Sequence, residues 1–225
     1  MLKSKPTLPE ARRHLASMID HTLLKPEATA HDVERLCEEA KVYGFVAVCI
    51  NPSFLPTAVR ALTGTLILPC TVIGFPLGAT TSKAFEAGEA AAAGAREVDM
   101  VLAVGAIKQK DYAAALADIH DVVRSVGSSC AVKVILETCL LNDAEKVTAC
   151  QLALDAGAAF VKTSTGFNIG GATLHDVALM RATVGNRAGV KASGGIRSLA
   201  DAEAMIAAGA NRIGTSAGIS MVTTP

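Results

Sequence analysis

The sequence has 225 residues, enough for one sizeable domain and few for two, and its hydrophobic content of 51% excludes a disordered or low-complexity chain. Basic and acidic residues number 21 each, so the formal net charge is +0, which argues against a nucleic-acid partner and against a polybasic membrane surface. Apolar runs end before the roughly 18 residues that a membrane span requires.

The N-terminus and the cysteines indicate a cellular compartment. Residues 1–15 contain no apolar core or cleavage site of a signal peptide, and the six cysteines are scattered without C-x-x-C spacing. We therefore expect a cytoplasmic protein with free thiols. The histidines show no H-x-x-x-H or H-E-x-x-H spacing, so we expect no zinc site.

A repeated junction between helix and strand organises the chain. Four times, an Ala-rich amphipathic stretch ends at a Gly and runs within a few residues into a β-branched strand; these glycines are Gly44, Gly94, Gly157 and Gly209. Gly fits the left-handed conformation just past a helix C-terminus. The units recur at roughly 25 to 30 residues, the size of one βα unit.

The repeat predicts eight strands, at residues 18–22, 46–51, 70–75, 97–102, 132–137, 160–164, 190–193 and 212–215. Apolar residues at helical spacing predict helices between them, at residues 30–42, 82–93, 113–126, 143–156 and 200–208. Alternating strands and helices imply a parallel sheet, and eight strands in this length predict an α/β fold, the (β/α)8 TIM barrel. We expect a single domain over residues 1–225, with residues 1–17 as a short N-terminal helical extension. An open doubly wound sheet is the alternative, but no G-x-G-x-x-G follows the first strands.

Two lysines lie inside predicted neighbouring strands, where Lys is disfavoured. Lys162 is in the sixth strand and Lys191 in the seventh, and a Gly-containing turn follows each. If both point inward, each disfavours the charge of the other, and burial acts in the same direction. A neutral amine can then attack a carbonyl carbon. The alternative is a solvated or ion-paired lysine, which is the commoner role of a single Lys at a strand end.

A carboxylate, Asp99, lies among apolar residues of the fourth strand. The period-2 rule places it on one face with Val101. It can be the counter-ion of a buried lysine, or it can move protons through water beside an imine, and the two roles are compatible.

Gly-rich turns follow the last three predicted strands, and they contain Gly166, Gly194, Gly195, Gly214 and Ser216. Barrels commonly bind phosphate after strands seven and eight, so these turns predict a phosphate site, although tight turns need Gly in any case.

Four other residues have simpler interpretations. Lys133 and Glu137 alternate along one strand, which suggests a structural ion pair inside the barrel. Cys49 is expected to be a buried small hydrophobe and Lys25 a surface charge.

Six blocks together resemble the deoxyribose-phosphate aldolase family. They are residues 19–26 (IDHTLLKP), 74–78 (GFPLG), 97–101 (EVDMV), 133–138 (KVILET), 161–166 (VKTSTG) and 190–196 (VKASGGI). The resemblance runs in register from residue 18 to residue 218. It implies a class I aldolase that needs no metal and no other cofactor. Such an enzyme cleaves 2-deoxy-D-ribose 5-phosphate reversibly into acetaldehyde and D-glyceraldehyde 3-phosphate.

The resemblance also implies roles for individual residues. Lys162 matches the lysine that forms the Schiff base, Lys191 the second lysine that lowers its pKa, and Asp99 the carboxylate that relays protons with a water. Asp20 matches an acid that orders this network. Gly166, Gly194, Gly195, Gly214 and Ser216 fall where the family holds the substrate phosphate.

The chain departs from some family members at two points. Phe167 stands where they carry a Lys after the Ser-Thr-Gly turn, and the chain ends at Pro225 without their C-terminal Tyr. Rival functions are a sugar-phosphate isomerase, a transaldolase and a non-enzymatic sensor of a phosphate ligand. Apolar helix faces are consistent with a homo-oligomer, with a dimer favoured, although barrel packing produces the same signal.

Overall fold

The computed structural model describes residues 8–224 and contains eight strands, each followed by at least one helix. The strands are β1 (Ile19–Leu23), β2 (Ala47–Ile50), β3 (Leu68–Ile73), β4 (Glu97–Val101), β5 (Ala131–Ile135), β6 (Phe160–Lys162), β7 (Gly189–Ser193) and β8 (Arg212–Thr215). The helices are α1 (Glu10–Ala16), α2 (Ala30–Tyr43), α3 (Leu55–Leu62), α4 (Lys83–Ala92), α5 (Val104–Lys108), α6 (Tyr112–Val126), α7 (Asp143–Asp155), α8 (Leu174–Val184), α9 (Leu199–Ala207) and α10 (Gly218–Thr223).

The strands form a closed parallel barrel in chain order. Closure occurs between β1 and β8, where Asp20 pairs with Gly214 and His21 with Thr215. The predicted TIM barrel is confirmed, and the open doubly wound sheet is excluded. Of the predicted N-terminal extension, α1 lies within the described residues and residues 1–7 lie outside them.

All eight predicted strands and all five predicted helices occur, with ends that differ by up to two residues. The sequence analysis missed α3, α5, α8 and α10. Helix α8 was hard to recognise because its buried face contains a charged residue, Asp176, beside Val177 and Met180. Lys146 of α7 binds that carboxylate at 2.6 Å, so the charge is compatible with burial.

The glycines of the repeated junction take the expected conformation. Gly44 caps α2 with φ of 76°, and its N–H donates to the Ala40 carbonyl. The other three glycines of the repeat also have positive φ. Each junction therefore ends a helix and starts the next strand within a few residues.

The alternation of side chains along the strands separates two environments. On β4, Val98 and Met100 pack in the apolar core between strands and helices, whereas Glu97 and Asp99 are buried in the barrel interior. On the β2–β3 side of the interior, Cys49 and Cys70 belong to a small apolar cluster. Cys49 is thus buried, as the sequence predicted, but its thiol also contacts Asp99 Oδ2 at 4.0 Å, so its surroundings are not purely apolar.

Two further findings concern membrane-spanning helices and disulfide bonds. Among the described residues, no helix has both the length and the apolar character needed to cross a bilayer. All six cysteines are free thiols.

Candidate active site

The barrel interior contains seven charged side chains from six strands. They are Asp20 of β1, Glu97 and Asp99 of β4, Lys133 of β5, Lys162 of β6, Lys191 of β7 and Arg212 of β8. All seven are buried. A buried charge is tolerated when it is paired, and the ion pairs among these residues form one connected network.

Asp99 is the centre of this network because it binds three lysines. Its Oδ1 accepts from Lys133 Nζ at 2.8 Å. Its Oδ2 accepts from Lys162 Nζ at 2.7 Å and from Lys191 Nζ at 2.6 Å. Lys162 and Lys191 are register partners on adjacent strands, and both point inward, as the sequence analysis proposed.

A second layer of ion pairs holds the network from below. Asp20 Oδ2 accepts from Lys191 Nζ at 2.5 Å, and its Oδ1 accepts from Arg212 Nε at 2.7 Å. Arg212 also binds Glu97 through two nitrogens at 2.8 and 3.0 Å. Glu97 in turn contacts Lys133 at 2.8 Å. Each carboxylate therefore has at least two cationic partners.

These contacts shift the pKa values in a consistent direction. Burial raises the pKa of Asp99, but the charges of Lys133, Lys162 and Lys191 outweigh it and hold that pKa well below its ordinary value. For Asp20, burial is likewise outweighed by Lys191, Lys133 and Arg212, and its pKa falls to about 2. Burial lowers the pKa of Lys191, but Asp20 and Asp99 raise it above its ordinary value. Both carboxylates and Lys191 are therefore charged at neutral pH.

The charge count of the network singles out Lys162. Four basic side chains face three carboxylates, so one positive charge is in excess when all seven are ionised. Within residues 8–224, Lys162 makes a single ion pair, with Asp99. It is also the one lysine of the network that lines the cavity described below.

This arrangement modifies one expectation. The sequence analysis supposed that Lys162 and Lys191 disfavour each other's charge. In the structure Asp99 bridges the two nitrogens, and Lys191 is kept charged by Asp20 and Asp99. Its effect on Lys162 is therefore that of a fixed cation.

A cavity of about 240 Å³ opens above the network at the carboxyl ends of the strands. Lys162 lines it, together with the loops after β1, β6, β7 and β8. All five residues of the predicted phosphate site line the same cavity: Gly166, Gly194, Gly195, Gly214 and Ser216. Asp20, Asp99 and Lys191 lie beneath it and reach it only through their contacts with Lys162 and with each other.

The turn after β7 lacks side chains at Gly194 and Gly195, so other groups can lie close to its backbone. Gly194 and Gly195 have φ of +90° and +81°, a region that other residues adopt at a cost. A Cβ on Gly194 would lie 2.9 Å from the Gly171 Cα. Among the backbone hydrogen bonds of residues 8–224, none is donated by Gly166, Gly194 or Gly195. Free N–H groups in a turn can bind an anion.

The cavity lining is also cationic. It contains Lys25, Lys162 and Arg197 but no Asp or Glu among the residues that the structure describes. Lys25 and Arg197 are exposed. Lys25 is thus a surface charge, as predicted, but the sequence analysis did not connect it to the cavity.

The predicted ion pair between Lys133 and Glu137 is wrong. Lys133 binds Asp99 and Glu97, whereas Glu137 accepts from the hydroxyl of Thr165 at 2.5 Å. Glu137 has φ of +55°, so the chain turns at this residue and the alternation of β5 does not continue to it. Glu137 instead holds the loop after β6.

Sequence reasoning missed three members of the network: Glu97, Lys133 as a partner of Asp99, and Arg212. The signal was present for Glu97, because it lies two residues before Asp99 and so shares its face. Arg212 stands at the start of an apolar strand, where a charge is unusual. Which charges pair depends on the closure of the barrel, which brings β8 next to β1.

The chain is similar to known proteins over most of its length. The family model for the DeoC/LacD family aldolase matches residues 14–222. The chain belongs to this aldolase family. A curated deoxyribose-phosphate aldolase from Thermoanaerobacter pseudethanolicus is 60% identical over 210 residues, which cover 92% of this chain and 94% of the relative. Another, from Lysinibacillus sphaericus, is 56% identical over 212 residues, covering 93% and 95%.

A solved structure supports the same assignment. The deoxyribose phosphate aldolase from Aeropyrum pernix, described as a tetramer, superposes with a TM-score of 0.87 at 36% identity and covers 94% of this chain and 90% of that one. The family resemblance that the sequence motifs indicated is confirmed. This DeoC/LacD aldolase is an enzyme, a carbon–carbon lyase.

Proposed function

We propose that this aldolase cleaves 2-deoxy-D-ribose 5-phosphate reversibly into acetaldehyde and D-glyceraldehyde 3-phosphate, through a Schiff base on Lys162, in the breakdown of deoxyribonucleosides. The supporting observation is that the Lys162 amine lies in a cavity lined by cations and Gly-rich turns, while Asp99 binds it from below. The names of the curated relatives support the substrate.

The first chemical steps form the imine. The neutral Nζ of Lys162 attacks the C1 aldehyde carbon of the open-chain sugar, and the carbinolamine loses its hydroxyl group as water to give an iminium. Asp99 holds the Lys162 nitrogen at 2.7 Å and the Lys191 nitrogen at 2.6 Å, so the attacking amine has a fixed position beside a second cation.

Bond cleavage follows from the iminium. A base removes the proton of the C3 hydroxyl, the C2–C3 bond breaks, and its electron pair moves into the iminium to form an enamine. D-glyceraldehyde 3-phosphate leaves. C2 of the enamine then takes up a proton, and water hydrolyses the resulting iminium to acetaldehyde and the free amine.

We assign the proton transfers to Asp99 acting through a water molecule. Its carboxylate touches the Lys162 nitrogen, and its low pKa keeps it ionised at neutral pH. Asp20 has a positioning role, because it binds Lys191 and Arg212 and so fixes the lysine that contacts Asp99.

We assign phosphate binding to the turns containing Gly166, Gly194, Gly195, Gly214 and Ser216. Their support is the shared cavity and the free N–H groups of the turns after β6 and β7. Gly214 has a further role in packing, because a Cβ there would lie 3.0 Å from the Lys191 Cε.

The experiment that tests this function is product detection. The purified protein, incubated with 2-deoxy-D-ribose 5-phosphate alone, should release acetaldehyde and D-glyceraldehyde 3-phosphate in equal amounts. An isomerase would yield another five-carbon phosphate, a transaldolase would need an acceptor aldehyde, and a sensor would yield no product. Any of these three results would overturn the proposal.

We also propose that the chain forms a homo-oligomer, most simply a dimer. Large apolar side chains such as Leu66, Phe85 and Ile169 are strongly exposed, and one structural relative is described as a tetramer. Sedimentation at several concentrations gives the assembly directly, and a monomer throughout would contradict the proposal. The cytoplasmic location stays a prediction.

A further inference from the structure

We propose that Lys25 binds the phosphate group of the substrate and so determines the preference for a phosphorylated sugar. The inference rests on the proposed function, because it concerns the same cavity. Lys25 lies outside the six-strand charge network and follows β1 in the chain.

The barrel topology places Lys25 on the correct side of the cavity. Strand β1 pairs with β8, and His21 is the register partner of Thr215. The loop that carries Lys25 is therefore the neighbour of the turn that contains Gly214 and Ser216. Both Lys25 and this turn line the cavity. A phosphate held by the turns after β7 and β8 would lie on the β1 side of the cavity.

The loop is fixed although the Lys25 side chain is exposed. The Asn51 side-chain amide, just after β2, donates to the carbonyl oxygens of Leu24 and Lys25 at 3.3 and 3.5 Å. The N–H of Ala28 donates to the Lys25 carbonyl at 3.2 Å. These contacts hold the backbone of Lys25 at the rim while its ammonium group stays free to bind an anion.

Lys25 has no competing partner in the described part of the chain. None of the ion pairs or side-chain hydrogen bonds of residues 8–224 uses its ammonium group, and no carboxylate lines the cavity. By contrast, the half-buried Lys41 pairs with Glu38, and the exposed Lys108 pairs with Glu145. A cation left unpaired at the rim of an acid-free cavity favours an anionic ligand.

On the β6 side of the cavity, the described residues offer no cation for this task besides Lys162, which is the proposed nucleophile. After β6 stands Phe167, whose ring meets Phe75 edge to face with centroids 5.2 Å apart. The β6 side of the rim is therefore aromatic, and the β1 side, with Lys25, is cationic. We infer that electrostatic recognition of the phosphate is supplied by Lys25 together with Arg197, which also lines the cavity.

The test compares phosphorylated and unphosphorylated substrate. For Lys25→Gln, KM for 2-deoxy-D-ribose 5-phosphate should rise about tenfold with kcat little changed. A tenfold loss of affinity is expected when one hydrogen bond to a charged group is removed. The kcat/KM for 2-deoxy-D-ribose should stay within about twofold. Lys25→Arg, which keeps the charge, should restore most of the affinity. Lys108→Gln is the matched control, since it removes an exposed lysine that does not line the cavity, and it should behave as wild type.

Two results would overturn the inference: an unchanged KM for the phosphorylated sugar, or an equal loss for both sugars that Lys25→Arg does not rescue. If the wild-type chain releases no acetaldehyde, the proposed function fails, and calorimetric titration with inorganic phosphate then decides the role of Lys25. Weaker phosphate binding by Lys25→Gln than by Lys108→Gln supports the role, and equal binding refutes it.

Discussion

Basic side chains lie both in the barrel interior and at the cavity rim. The interior ones are buried and ion-paired, whereas those at the rim are exposed and unpaired within the described residues. Inside, seven buried charges satisfy one another through ion pairs centred on Asp99. At the rim, the exposed charges of Lys25 and Arg197 form no ion pair within the described residues. Lys162 lies between the two regions, because its nitrogen binds Asp99 and the residue lines the cavity.

The comparison separates two tasks. Buried, paired charges keep fixed positions and fixed ionisation states, which suits the tuning of a nucleophile. Free charges and free N–H groups at the rim suit the capture of an anion from water. Variants inside the barrel should therefore change chemistry and pH dependence, whereas variants at the rim should change substrate affinity.

The largest effect is expected at the residue shared by both regions. Lys162→Arg should lower kcat by about a thousandfold or more, because the guanidinium stays charged and cannot form an imine. Lys108→Arg makes the same replacement on the surface and should be fully active. Steady-state assays measure kcat, and circular dichroism checks that the variant is folded. If Lys162→Arg retains a tenth of wild-type activity, the assignment is contradicted.

A smaller effect is expected when the fixed cation of the interior is removed. Lys191→Leu removes the cation that Asp99 holds beside Lys162. We expect kcat to fall about a hundredfold at neutral pH and the activity optimum to move to alkaline pH.

The control for this variant removes another buried lysine. Lys83, buried outside the interior network, binds Asp118 at 2.5 Å and the Val101 carbonyl at 2.9 Å. Lys83→Leu should destabilise the fold, because Asp118 and the Val101 carbonyl lose this partner, but it should leave the pH optimum unchanged. An unshifted optimum in Lys191→Leu would show that this lysine does not tune the nucleophile.

Acid should destabilise the interior network. The pKa of Asp20 is lowered from 3.8 to about 2 in the folded protein, so its ionised form stabilises the fold above pH 4, and this contribution disappears as the pH falls to about 2. The pKa of Asp99 is lowered in the same direction. Protonation of Asp20 alone should lower the free energy of unfolding by about 2 kcal/mol. Urea unfolding between pH 5 and 2 measures it, and a free energy of unfolding that does not fall over this range would contradict the account.

The smallest effect is expected at the rim. Gly194→Ala should raise KM for the phosphorylated sugar several-fold to about tenfold, because the left-handed φ and the contact with Gly171 force the turn to shift. Gly64→Ala is the matched control, since Gly64 also has positive φ but lies away from the cavity with no atom near its added Cβ. It should lose stability without a change in KM. Equal KM values for the two variants would separate this turn from phosphate binding.

The repeat of helix and strand and the spacing of apolar residues were sufficient to predict most of the fold. The eight strands and the junction glycines follow from local chemistry, so the sequence predicted them. Helix α8 was missed because its buried face carries Asp176, whose partner Lys146 belongs to another helix. Local patterns cannot show such a long-range pair.

The same limit applies to the site. The inward-facing lysines could be predicted because side chains alternate along a strand. The position of the Gly-rich turns could be predicted because a barrel brings the loops after its strands to one end. The wrong pair between Lys133 and Glu137 arose because alternation was extended through a residue with positive φ. Lys25 was interpreted as an ordinary surface charge, since only barrel closure brings the loop after β1 beside the turn after β8.

Reductive trapping tests the central claim most directly. The protein is incubated with acetaldehyde and borohydride, digested, and analysed by mass spectrometry beside Lys162→Arg. The account predicts one ethylated lysine, Lys162, in the wild-type protein and loss of that modification in the variant, while Lys191 stays unmodified. A wild-type protein without the adduct at Lys162, or with the adduct at Lys191 instead, would contradict it.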